Sequence, residues 1–224
     1  MKIGTIKLSH FSVKEYLLSE RIDKNFSISE RVSHSKISEI SVAYLLQFHS
    51  FEPLTDAMLD SSQLALYAAE HWIDHAKSGG MGSVVLKLIL QLFTSEAAPL
   101  TNWIRMWNID DYWYRKDLGM NKAEVLSPLY YASLAGMEDV SYELLERGGN
   151  ANVKGGEYGN ALQAASYGGN EPIVKLLLEN GADVNAEGGK YRNALQAALS
   201  RGNTEVVKLL LDKGGEAKNA LQAA

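Results

Sequence analysis

The hexapeptide NALQAA occurs three times, at residues 160–165, 193–198 and 219–224, and the first two copies lie 33 residues apart. Counting back another 33 from Leu162 reaches Leu129, inside the degenerate copy SPLYYAS. A fixed period of this length commits the chain to stacked supersecondary units, each too small to bury its apolar face alone. Such arrays offer a continuous surface to other macromolecules, so the spacing argues for recognition ahead of any catalytic motif.

Within one period, Asn160 stands where a side-chain oxygen can cap a helix opening with Ala161, Leu162 and Gln163, and Ser127 with Pro128 holds that place one unit earlier. Ala164 and Ala165 are small enough for neighbouring units to stack closely, and Gly168 and Gly169 stop the helix. A second helix follows. Pro172 suits its first turn, and Ile173, Val174, Leu176, Leu177 and Leu178 form a broad apolar face ending at Gly181. NTEVVKLLLDKG, residues 203–214, repeats that design, while ADVNAEGGKYR, residues 182–192, is rich in turn formers and reads as a projecting, hairpin-like finger.

GNEPIVKLLLENGADVNAEGG and GNTEVVKLLLDKGG resemble the second helix and loop of ankyrin repeats, and the resemblance extends over residues 125–224 as about three units plus the start of a fourth. The family's usual Thr-Pro-Leu-His helix start is SPLY in the first unit and NALQ afterwards, so Gln163, Gln196 and Gln222 replace the histidine, with weaker bonding between repeats expected. The spacing from Leu195 to Leu221 falls to 26, which predicts a clipped third loop. What the resemblance implies is a protein partner on the finger tips and the exposed ends of the first helices. Those positions are Glu157, Tyr158, Lys190, Tyr191 and Arg192, with Leu134, Tyr167, Ser200 and Arg201. Tyrosine and arginine are effective contact residues, although Tyr158 and Tyr191 are equally suited to packing across neighbouring fingers.

Residues 1–124 have another character, holding all five histidines and all four tryptophans. Ile37, Ile40, Tyr44 and Phe48 recur at helical spacing, as do Leu64, Ala68 and Trp72 and the offset row Leu66, Ala69 and Ile73, which predicts two helices with buried faces. Residues 84–94 keep a narrow polar stripe at Lys87 and Gln91 and read as the central helix; APLTNWIRMWNIDDYWY, residues 98–114, reads as an aromatic helix capping the open first repeat. The expected fold class is therefore all-α, with a helical linker at residues 23–124 ahead of a short solenoid.

Two strings carry a more definite likeness. IKLSHFSVKEYLLSERI, residues 6–22, resembles the last strand and helix of the winged-helix domain in fungal NACHT proteins, also seen in the family named for its likeness to GPI inositol-deacylase; LALYAAEHWIDHA, residues 64–76, resembles the helical segment that follows. This implies the remnant of a winged helix at residues 1–22 and a place in a STAND-type signalling NTPase whose repeats sense a ligand. The resemblance places His10 where related switch NTPases contact nucleotide, the alternative being that it orders the turn.

Catalytic patterns are thin. There is no GxxxxGK[ST] to cradle a triphosphate and no GxSxG nucleophile elbow, so the deacylase name transfers no chemistry. HWIDH places His71 and His75 four apart on one helix face, close to the HxxEH of inverted zinc peptidases, but Asp74 stands for the glutamate and no third ligand is evident; partly exposed helix histidines are the other reading. SGGMGS, residues 78–83, precedes a helix without a lysine or strand and reads as a turn rather than an anion site. With no cysteine, neither disulfides nor thiolate metal sites are available, which suits a cytoplasmic or nuclear setting. A net charge of -5 disfavours nucleic acid, and the longest apolar stretch is too short to span a bilayer. The expectation is a protein-binding module without cofactor or turnover.

Overall fold

The computed structural model describes residues 29–50, 52–95, 98–110, 116–120, 125 and 127–215, and every regular element among them is a helix. His10, the string at residues 6–22 and the third NALQAA copy with Gln222 lie outside the described residues, as does the clipped loop.

The front part begins with α1 (Glu30–Leu45), whose N-cap Ser29 accepts a hydrogen bond from Val32 N at 3.4 Å. Its main partner is α3 (Ala65–Gly79), reached through the short α2 (Asp56–Ser61). The expected apolar row of α1 is displaced. The buried residues are Ser38, Ser41, Val42 and Leu45, while Ile40 is 53% exposed. On α3 the buried set is Ala65, Ala68, Ala69, Trp72, Ala76 and Gly79, with Leu64 and Leu66 left exposed. Small side chains explain the shift. A methyl group built on Gly79 would sit 2.2 Å from Ser35 N, so the helix backbones meet there without side chains between them. Serines and alanines fill the seam, and Ile37, Ile40 and Tyr44 are pushed to its rim.

The central helix is as expected: α4 (Ser83–Thr94) buries Val85, Ile89, Leu90, Leu92 and Phe93 and touches α1 on one side and the first repeat on the other. Next, α5 (Pro99–Met106) is almost wholly buried and carries Trp103, whose Nε1 donates to Ala69 O at 3.0 Å. Trp103 packs edge-on to Trp72 at 5.2 Å and to Tyr131 of the first repeat at 6.3 Å. The cap over the array is thus built from α4 and Trp103, and one apolar core runs unbroken from Val42 to Leu210.

The array comprises three helix pairs: α6 (Pro128–Leu134) with α7 (Glu138–Glu146), α8 (Ala161–Gly168) with α9 (Glu171–Glu179), and α10 (Ala194–Arg201) with α11 (Thr204–Asp212). Asn160 and Asn193 cap α8 and α10 as expected, each Oδ1 accepting from the backbone N–H three residues on at 2.9 Å. Ser127 makes no such side-chain bond; Pro128 at the first turn has no N–H to satisfy, so the need for a cap is smaller there. Helix α8 ends at Gly169 with φ 71°, a left-handed turn under which Asn203 of the next unit tucks its amide.

Asparagines at the repeat period tie units together in both directions. Asn170 Nδ2 donates to Ser133 O at 3.2 Å, and Asn203, 33 residues later, donates to Ser166 O at 2.8 Å. Asn152 Nδ2 donates to Gly181 O at 2.8 Å, and Asn185, again 33 later, to Gly214 O at 3.0 Å. The first helices α6, α8 and α10 stack closely through Ala132, Ala164, Ala165, Ala197 and Ala198, while α7, α9 and α11 touch more lightly.

Candidate interaction surface

Two fingers, at residues 154–160 and 187–193, stand beside the first-helix row. The first closes with an antiparallel bridge between Lys154 and Asn160 and a hydrogen bond from Gly155 N to Gly159 O at 2.8 Å; the second closes from Gly188 N to Arg192 O at 2.7 Å. The second finger is pinned at its base by Gln163. Its side chain, 1% exposed, turns Nε2 toward the carbonyls of Ala186 at 3.1 Å, Gly188 at 3.1 Å and Arg192 at 2.9 Å. The expected weakening of bonding between repeats is therefore not seen at this position, because the glutamine amide, like an imidazole N–H, is a buried donor aimed at backbone oxygens.

On this face the tyrosines come together. Tyr158 stacks on Tyr167 at 4.4 Å, Tyr167 on Tyr191 at 5.3 Å, and the rings of Tyr158 and Tyr191 are within 9° of parallel at 6.2 Å. Packing across the fingers, one of the two readings of Tyr158 and Tyr191, is thus what these rings do. Tyr158 is mostly buried, and its phenol is pushed well above the usual tyrosine range, by burial first and then by its hydrogen bond to Tyr167. Tyr167 and Tyr191 keep part of their area open. Arg201, from the end of α10, lays its guanidinium over the Tyr167 ring at 5.0 Å. Lys190 bonds Glu157 Oε1 at 2.5 Å across the fingers, and this carboxylate raises the lysine's pKa; the ammonium also lies 5.9 Å from the Tyr191 ring.

The remaining candidates divide. Arg192 is exposed and takes a left-handed backbone, φ 65°, at the position of Gly159 in the previous finger. Ser200 is exposed but returns its hydroxyl to Ala197 O at 2.8 Å. Leu134, on the first unit, is half-buried against the core. Glu157, Tyr158, Tyr167, Lys190, Tyr191 and Arg201 therefore form one connected patch, with Arg192 beside it.

Behind the patch lies an anchor with little sequence signal. Asp110, from the segment after α5, accepts the Tyr130 hydroxyl on one carboxylate oxygen and Glu157 N at 2.8 Å on the other; Tyr130 Oη accepts from Tyr158 N at 3.3 Å. Burial first, then the Asp110 charge, holds the Tyr130 phenol far above its usual range. Gly156 passes so close that a methyl group there would lie 2.2 Å from the Tyr130 ring. The front helices thereby fix the first finger directly.

His71 and His75 diverge. His75 Nδ1 faces His34 Nδ1 of α1 at 2.7 Å and its Nε2 meets Tyr67 Oη at 2.9 Å, so both ring nitrogens are engaged. Burial, then the His34 and His71 charges, lowers its pKa. His71 lies against the Tyr67 ring at 4.8 Å and faces Glu70 at 3.8 Å. Among the described residues no group of three or more histidine or carboxylate side chains is placed to hold a metal ion, and no single helix is long and apolar enough to cross a membrane. Residues 80–82 form the turn between α3 and α4, as expected for SGGMGS.

Comparison with known proteins places the repeats on firm ground. Residues 162–211, helices α8 to α11, match the family model of ankyrin repeats (many copies). A curated protein of Monascus ruber, described as azaphilone pigments biosynthesis cluster protein L, is 39% identical over 179 aligned residues, covering 70% of this chain and 37% of the relative. The chain spans little more than a third of that relative's length.

Proposed function

We propose that this chain is a non-catalytic recognition module that binds a protein partner through the face carrying Tyr167, Tyr191, Lys190, Arg192 and Arg201. The observation that carries this reading is the tyrosine stack, which joins two fingers and one helix of an ankyrin-repeat region into a rigid, half-open aromatic platform. Preformed aromatic area loses little conformational entropy on binding, which is the property a recognition surface needs. We extend the proposal to a cytoplasmic or nuclear setting and to a larger NACHT-like signalling protein in which these repeats are the sensing part. The likeness of residues 64–76 supports that extension, and so does the greater length of the Monascus relative, whose name associates it with a pigment biosynthesis cluster.

The rival reading, a metal-dependent hydrolase using His71 and His75, is disfavoured by the geometry, since His75 has both nitrogens occupied by His34 and Tyr67. A photo-cross-linking amino acid placed in turn at Arg192, Arg201 and Lys208 of the full chain tests the proposal in its source cell. A discrete cross-linked protein from positions 192 and 201, and none from 208 on the opposite row, is expected. Cross-links from 208 alone, or stoichiometric zinc lost in His75→Ala, would overturn it.

A further inference from the structure

Charge is sorted between the two sides of the array. Both lysines within the second-helix row are neutralised one turn away, Lys175 by Glu171 at 2.5 Å and Lys208 by Glu205 at 2.8 Å, and the same row carries Glu138, Asp139, Glu146 and Glu179. The finger side is the reverse. Lys190 is paired with Glu157, but Arg192 and Arg201 are exposed and have no acidic partner among the described residues, and Lys154 on the first finger is likewise unpaired. Glu187 on the second finger and the Asp110 carboxylate behind the first are the acids left to set against these three cations. In a chain of net charge -5 the tyrosine face is thus locally cationic.

Resting on the reading above, we infer that this face selects an acidic segment of its protein partner, with carboxylates meeting Arg201 and Arg192 at the edge of the tyrosine stack. Arg201 is suited to that role because its guanidinium already lies on the Tyr167 ring, so it is held in place and keeps its edge donors for a bidentate carboxylate. The negative second-helix row would repel the same segment, which adds orientation to attraction.

Selection from a displayed random-peptide library on the full chain tests this. Peptides enriched in Asp and Glu are expected, and their affinity falls at least about tenfold in Arg201→Glu and in Arg192→Glu while Lys208→Glu changes it by less than about twofold. Arg201→Gln gives an intermediate loss and guards against a fold artefact from the reversal. Peptides without acidic bias that nevertheless lose binding in Tyr167→Ser would overturn the charge preference and leave the recognition face standing. Binding insensitive to both Tyr167 and Arg201 would sink both readings. Equal displacement by heparin from wild type and from Arg201→Glu would reduce the effect to general polyanion attraction and overturn the inference.

Discussion

Gln163 shows what one side chain does for the surface. Its amide reaches three carbonyls of the following finger from a buried position, so its loss takes a donor from Ala186 O and Gly188 O, leaves Arg192 O with Gly188 N alone, and loosens the loop that presents Tyr191. Gln163→Leu is expected to cost about 1–3 kcal/mol, read as a lower denaturation midpoint, with Gln163→His recovering part of it. Tyr130 makes a second residue-scale case. Its phenol pKa is raised in the folded state, so the neutral form is what folding favours; the stability it contributes is complete below the ordinary tyrosine value of about 10 and drains away as pH rises past it. Denaturation at pH 7 and at pH 10.5 should show a steeper alkaline loss in wild type than in Tyr130→Phe. Gln163 is visible in the sequence as a departure from the repeat pattern, but its partners are not, because pattern says which residue is unusual and not where its donors point. Asp110 left no such trace, since a lone acid after an aromatic helix has no spacing to betray a partner in the next unit.

At the level of elements, repeats were legible and the front helices only partly so. Periodicity locates α6 to α11 because the second and third units restate the same asparagine caps and apolar rows and the first keeps their spacing; the paired asparagines 33 residues apart follow the same period. Helix α1 is only partly legible because its packing side mixes Ser38 and Ser41 with Val42 and Leu45, and serines leave no apolar period. The close approach at Gly79 predicts that Gly79→Ala costs more than a surface change: the methyl group would press on Ser35 backbone, and about 1–3 kcal/mol should be lost from thermal stability. The same helix pair carries His34 against His75. Because the folded His75 pKa is lowered, the associated stability is present above about pH 6.5 and is lost as pH falls below it, the unfolded chain taking the proton first. Melting temperature should therefore fall between pH 7.5 and pH 5, and His75→Gln should flatten that fall.

For the whole molecule, the unbroken core and the chain of rings from Trp72 through Trp103 to Tyr131 make the front helices and the first repeat one cooperative body. All four tryptophans lie in the front part, so their fluorescence follows it while helix dichroism also follows the array. The two transitions should coincide in wild type, and Trp103→Ala, at about 3–5 kcal/mol, should shift both together. That coupling matters to function, because Asp110 lends the first finger the rigidity of the front helices and lets the tyrosine face act as a fixed platform. The central claim is that this face, and not the apolar rim of α1 and α3, is where the chain meets its partner. Amide hydrogen exchange of the full chain with and without the cross-linked partner decides it. Protection confined to residues 155–168 and 186–202 is predicted; protection at residues 37–44 and 64–68, with the fingers unchanged, would contradict the account.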